Sequence, residues 1–142
     1  MKINILIADD EKEFNETLSQ RLEVRDISVT SVYSGKSAVA MAEKIDFDVI
    51  ILDVLMPEVT GLDALKKIKN TKPLTPIIML TGAATVENAI QGMKLGAFDF
   101  LMKPADIELL MEKIHTAHQF KQAHEERIRK AEIENILQTH GW

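Results

Sequence analysis

Short apolar runs alternate along this chain with segments of helical period, which predicts an α/β fold. The expected architecture is a doubly wound, five-stranded parallel sheet with helices on both faces. Two details support it. The run Val49-Ile50-Ile51-Leu52 is unbroken and rich in β-branched residues, as in a strand buried on both faces. Carboxylates end two of the runs, Asp9-Asp10 and Asp53, at the strand ends where open α/β sheets place their ligands.

Strands are predicted near 3–8, 27–33, 48–53, 76–81 and 97–102, with helices over 12–24, 36–44, 62–70 and 85–95. In the first helix Phe14, Leu18, Leu22 and Val24 share a stripe, and Asp10 with Glu13 has the spacing of a capping box. Gly35 and Gly61 stand before helices and Gly96 after one, as helix punctuation. From Asp106 the residues Ile107, Leu110, Met111, Ile114 and Ala117 make a fifth amphipathic helix. Beyond Phe120 the apolar stripe thins while charge continues, from Lys121 and Glu125 to Glu134. One helix from about 106 to 138 is allowed and would run roughly 50 Å. Residues 1–120 therefore form the domain, and 121–142 a solvated helical extension or a frayed linker. Ile128, Ile133, Ile136 and Leu137 offer a weak pairing seam, which leaves a homodimer open, but the heptad is too broken for a coiled coil.

Composition removes several function classes. A net charge of −5 argues against non-specific nucleic-acid binding, which needs a basic face. Without cysteine there is neither a disulfide framework nor a thiolate metal site, which fits a reducing compartment. Met1-Lys2-Ile3-Asn4 already belongs to a strand, with no apolar leader, and no run approaches transmembrane length. A cytoplasmic protein with no membrane contact is expected.

Four strand ends deliver Asp9-Asp10, Asp53, Thr81 and Lys103 to one edge of the sheet. Three carboxylates brought together repel one another and call for a hard cation such as Mg²⁺. A carboxylate nucleophile, a cation site, a hydroxyl and an ammonium are the parts needed to accept a phosphoryl group. Each residue alone has a plainer reading: helix cap, turn residue or solvated lysine. Their shared edge is what favours chemistry.

These residues lie within Ile-Ala-Asp-Asp-Glu (7–11), Leu-Asp-Val-Leu-Met-Pro (52–57) with Gly61, Leu-Thr-Gly (80–82) and Phe-Leu-Met-Lys-Pro (100–104). In order and spacing, residues 1 to about 120 resemble the receiver domain of two-component response regulators, including single-domain chemotaxis-type regulators. The resemblance implies a flavodoxin-like strand order 2-1-3-4-5. It implies a phosphorelay switch, not an enzyme, that takes a phosphoryl group from a sensor histidine kinase or phosphotransfer protein onto Asp53. It further implies Mg²⁺ held by Asp10, Asp53 and the Leu55 backbone carbonyl, with Asp9 acting through water, and a cis Lys103-Pro104 bond. Thr81 and Phe100 would be the switch pair, signalling to a downstream protein partner. Family experience makes the positions of Leu55 and Ala83 tune hydrolysis of the phosphoryl group. Both side chains are apolar here and cannot orient an attacking water.

Other fragments fail as motifs. Ser34-Gly35-Lys36-Ser37 lacks the first glycine of a phosphate loop, because Thr30 stands there. Asp46 and Asp48 flank Phe47 at the amino end of their strand. Glu112, His115 and His118 lack the matching helices of a bundle metal site. A dehalogenase-like aspartyl-phosphate phosphatase wants a second Asp at position 55, where this chain has Leu. A phosphorylation-independent interaction module would be favoured by loss of an acidic-pocket residue, and none is lost. No DNA-binding, ATPase or cyclase motif follows within these residues, so a stand-alone regulator and a fragment of a longer one both remain open.

Overall fold

The computed structural model describes residues 2–82 and 85–139. The strands are β1 (Asn4–Ala8), β2 (Ser28–Val32), β3 (Val49–Asp53), β4 (Ile77–Thr81) and β5 (Asp99–Met102). The helices are α1 (Lys12–Val24), α2 (Gly35–Lys44), α3 (Gly61–Thr71), α4 (Val86–Lys94) and α5 (Ile107–Thr139). All strands pair in parallel in the order β2-β1-β3-β4-β5, the order the family resemblance implies.

Successive strand residues point to opposite faces, and both faces are covered, so the central strands are apolar at nearly every position. Leu6, Ile50, Leu52, Ile77 and Met79 pack on one side with Ala42, Ala64, Leu65, Ile68 and Ala89 of α2, α3 and α4. Ile5, Ile7, Val49, Ile51, Ile78 and Leu80 pack on the other with Leu18 and Leu22 of α1 and Leu110, Ile114 and Ala117 of α5.

Three local expectations need correction. The capping box belongs to α3, where Thr60 and Asp63 bond each other's backbone N–H. Asp10 and Glu13 form none, because α1 begins at Lys12 with Glu11 as its N-cap and no side-chain cap bond. Val24 leaves the apolar stripe and is 84% exposed, since a residue two positions after Leu22 lies about 200° further round the helix. Gly35 and Gly61 are the first residues of their helices and do not precede them. Gly61 brings α3 against the end of β3, where an added Cβ would fall 2.1 Å from the Asp53 carbonyl oxygen. Only glycine permits that approach, and it seats the Asp53 backbone.

The C-terminal segment is a single 33-residue helix, of which the part beyond Glu126 is exposed throughout. Its docking extends past the expected boundary at residue 120. Lys121 is buried, not solvated; its Nζ donates to the Phe47 carbonyl at 2.7 Å and pairs with Asp46 Oδ1 at 3.2 Å. His118 Nε2 stands 3.7 Å from Asp48 Oδ1, and Asp48 Oδ2 accepts the Asn4 N–H at 2.8 Å. The acids at the amino end of β3 thus anchor α5. Among the described residues no helix is long and apolar enough to cross a membrane.

Lys121→Met should keep the apolar stem of the side chain but leave the Phe47 carbonyl without its ammonium donor. The expected cost is about 1–3 kcal/mol, read as a lower denaturant midpoint with an unchanged slope. Lys130→Met, in the exposed part of the same helix, should change little. Equal loss in both variants would deny Lys121 its anchoring role.

Candidate functional site

Strand order assembles the site. β3 is central and ends in Asp53; β1 beside it continues into Asp9-Asp10, β4 on its other side ends in Thr81, and β5 leads to Lys103. The register pairs Ala8 with Leu52, Asp53 with Leu80, and Thr81 with Met102, so the chemical residues come off at one level. Carboxylate oxygens of Asp9, Asp10 and Asp53 lie within 4.8 Å of one another. Asp9 and Asp53 are buried, while Asp10 is exposed at the mouth.

Lys103 gathers these charges. Its Nζ lies 2.9 Å from Asp9 Oδ2, 2.7 Å from Glu11 Oε1 and 3.5 Å from Asp53 Oδ1. It also sits over the Phe14 ring, 4.5 Å from the centroid, as a cation–π contact. The Lys103-Pro104 peptide is cis, as the resemblance implies. Asp9 Oδ1 accepts the Glu11 backbone N–H at 2.9 Å. Asp9 Oδ2 is fully buried and, although near Lys103, has no aligned hydrogen-bond donor.

Burial and the neighbouring Asp9 carboxylate push the Asp53 carboxyl from its ordinary value up to about 7, against the pull of Lys103. Burial also raises Asp9, with Lys103 and the Glu11 N–H partly offsetting it. Desolvation alone would lower Lys103, but the close Asp9 and Glu11 carboxylates and the charge of Asp53 outweigh it and raise its pKa.

A cleft of about 330 Å³ opens over Asp53, lined by Asp10, Glu11, Leu55, Gly82, Thr85 and Lys103. The Leu55 side chain is exposed at its rim. Thr81 is fully buried, and its hydroxyl bonds the Gly82 carbonyl and the Thr85 hydroxyl. Phe100 is half-buried against the core of the α2–α4 face. Ala83 lies outside the described residues.

The structure therefore brings together Asp9, Asp10, Asp53, Leu55 and Lys103, and places Thr81 at the end of β4 with its hydroxyl bonded into the adjoining loop. Three neighbours escaped the sequence reading. Glu11 adjoins the acidic pair, but only Lys103 reveals its purpose. Phe14 was assigned to the helix stripe and in fact also faces the lysine. Thr85 carries no motif signal at all.

A chain with this strand order is a flavodoxin-like α/β domain, here with an acidic cluster and a lysine at the carboxyl end of its sheet. Residues 5–115 match the family model of the response regulator receiver domain, and the chain belongs to that family. It is 37% identical over 116 residues to the transcriptional regulatory protein ZraR of Salmonella typhimurium, a match covering 82% of this chain and 26% of that protein. The probable transcriptional regulatory protein TcrX of Mycobacterium tuberculosis is 36% identical over 75% of this chain and 45% of its own length. The chain thus spans about a quarter to a half of these two curated relatives. A receiver domain from Clostridium thermocellum superposes with TM-score 0.82 at 32% identity, covering 85% of this chain and 98% of that one.

The raised Asp53 pKa has a consequence for stability. A carboxyl raised in the fold favours the folded state fully below its unfolded value, near 4, and that contribution is lost as pH rises through about 7. Asp53→Asn keeps a neutral group throughout. The melting temperature of the metal-free variant should therefore increasingly exceed that of the native chain from pH 4 to pH 8. A difference independent of pH would contradict the assigned burial and repulsion.

Proposed function

We propose that the chain is a phosphorylation-dependent switch of a two-component system that accepts a phosphoryl group on Asp53 with Mg²⁺. The observation that carries this reading is the convergence of Asp53, two further carboxylates and Lys103 at one open cleft. The donor would be the phosphohistidine of a sensor kinase or phosphotransfer protein, and the listener a further protein. The chain would act as a phosphoacceptor in the cytoplasm, and not as an enzyme on a separate substrate.

An Asp53 carboxylate oxygen forms the new bond to phosphorus as the bond from phosphorus to the histidine nitrogen breaks. The imidazole leaves with the electron pair of that bond. Asp53 must be ionised to attack, and a site that raises its pKa works against this unless cationic charge is added. Lys103 supplies one such charge and can follow it to a phosphoryl oxygen through a charge-assisted hydrogen bond. The donor set fits a hard divalent cation: Asp9, Asp10 and Asp53 offer only oxygens, and Asp9 Oδ2 is buried without an aligned donor. Asp10, Asp53 and the Leu55 carbonyl would hold Mg²⁺, with Asp9 behind them. When bound, Mg²⁺ supplies charge neutralisation for the phosphoryl oxygens. Thr81 would then contribute its hydroxyl, and Phe100 would repack as the switch.

Incubation with Mg²⁺ and acetyl phosphate should add one acid-labile phosphoryl group, seen by intact mass. Chelation and Asp53→Asn should each abolish it. Labelling that persists in Asp53→Asn would move the acceptor elsewhere.

The phosphoryl group should also be long-lived. Leu55 offers no hydrogen bond to hold an attacking water, and Ala83 is apolar by sequence. Full general-base assistance is typically worth about 10²–10⁴-fold, and part of that is forgone here. Leu55→Asn with Ala83→Glu should speed phosphoryl loss after donor removal. A native half-life of seconds, or a double mutant no faster, would refute the expectation.

A further inference from the structure

Thr81 ends β4 fully buried, and among the described residues the hydrogen bonds of its hydroxyl are to Gly82 and Thr85. Its Oγ1 lies 3.0 Å from the Gly82 carbonyl oxygen and bonds the Thr85 hydroxyl. Thr85 Oγ1 lies 3.0 Å from the same Gly82 carbonyl. Thr85 is also the N-cap residue of α4, a place where a threonine hydroxyl ordinarily accepts a helix N–H. It makes no such bond. The hydroxyl is turned to Thr81.

Proton counting decides what this triangle does. Each hydroxyl carries one proton, and the Gly82 carbonyl carries none. If Thr81 donates to Thr85, then Thr85 donates to Gly82. If Thr85 donates to Thr81, then Thr81 donates to Gly82. Either way the single proton of Thr81 is spent within the loop, and the two hydroxyl bonds polarise each other.

We infer that Thr85 is a positioning residue that holds the Thr81 hydroxyl in the loop and so opposes its recruitment by a phosphoryl group on Asp53. The inference rests on the phosphoacceptor reading above. Thr85 lines the same cleft as Asp53, so its release and the arrival of the phosphoryl group are neighbouring events. The resting and phosphorylated arrangements then compete for one hydroxyl proton, and Thr85 sets part of the balance.

Thr85→Val has nearly the shape of Thr but no hydroxyl. The Gly82 carbonyl keeps the backbone N–H of residue 85 at 3.0 Å and the Thr81 hydroxyl, so no buried acceptor is orphaned. One net hydrogen bond is typically worth about 0.5–1.5 kcal/mol, which converts to roughly two- to tenfold in affinity. Calorimetric titration of the full chain with beryllofluoride in excess Mg²⁺ reads this directly. Thr85→Val and Thr85→Ala should bind about two- to tenfold more tightly than the native chain. Thr85→Ser, which restores the hydroxyl, should return to the native affinity. Binding by the Val and Ala variants that is equal to or weaker than native would overturn the inference; weaker binding would instead make Thr85 a direct phosphoryl contact. A native chain that takes up no beryllofluoride, or takes it up equally well as Asp53→Asn, would overturn the phosphoacceptor reading and this inference with it.

Discussion

Two buried carboxylates and a third at the surface occupy the end of a parallel sheet, and nothing about burying apolar strands requires them there. Desolvating like charges is costly unless each finds a partner. Lys103 is that partner for Asp9 and Asp53 together, and Glu11 and the Phe14 ring hold it from outside. Much of the remaining architecture serves this contact. β5 leads the chain to the lysine, Gly61 lets α3 close under Asp53, and the pairing of β1 with β3 sets the acids side by side.

The cluster remains electrostatically unsatisfied. One ammonium faces three carboxylates, Glu11 included, and the Asp53 carboxyl stays raised to about 7. An acidic cluster short of positive charge attracts cations and repels anions. Crowding like charges costs stability at this end of the sheet. The opposite end of the sheet shows the contrary policy. There Lys121 pairs with Asp46 and the Phe47 carbonyl and fastens α5 beside β3, while Asp48 accepts the Asn4 N–H.

The long α5 links two environments. Its first turns bury Leu110, Ile114 and Ala117 against the sheet, and Lys121 closes that contact. Beyond it Ile128, Ile133, Ile136 and Leu137 are exposed on a helix that continues away from the domain. The relatives' chains are longer than this one, and in them the receiver makes up a quarter to a half of the length.

Periodicity settled the element types and the sheet, because a strand covered on both faces must be apolar throughout and a surface helix must not. Motif spacing likewise brought Asp9, Asp10, Asp53, Thr81 and Lys103 to one edge, since strand ends are fixed by the strands themselves. Helix starts were less legible: the Asp10 and Glu13 pairing was a coincidence of spacing, while Thr60 and Asp63 formed the box unnoticed. Lys121 looked solvated because a lone lysine in a charged stretch has no local partner; the Phe47 carbonyl lies 74 residues away in sequence. Glu11, Phe14 and Thr85 share that difficulty. What the sequence by itself determined was the fold and the chemical inventory of the site, both of which follow from local pattern. Which groups hold Lys103 and the Thr81 hydroxyl was decided only by the tertiary structure, because hydrogen bonds and charges act over a few ångströms in space and carry no mark in the order of residues.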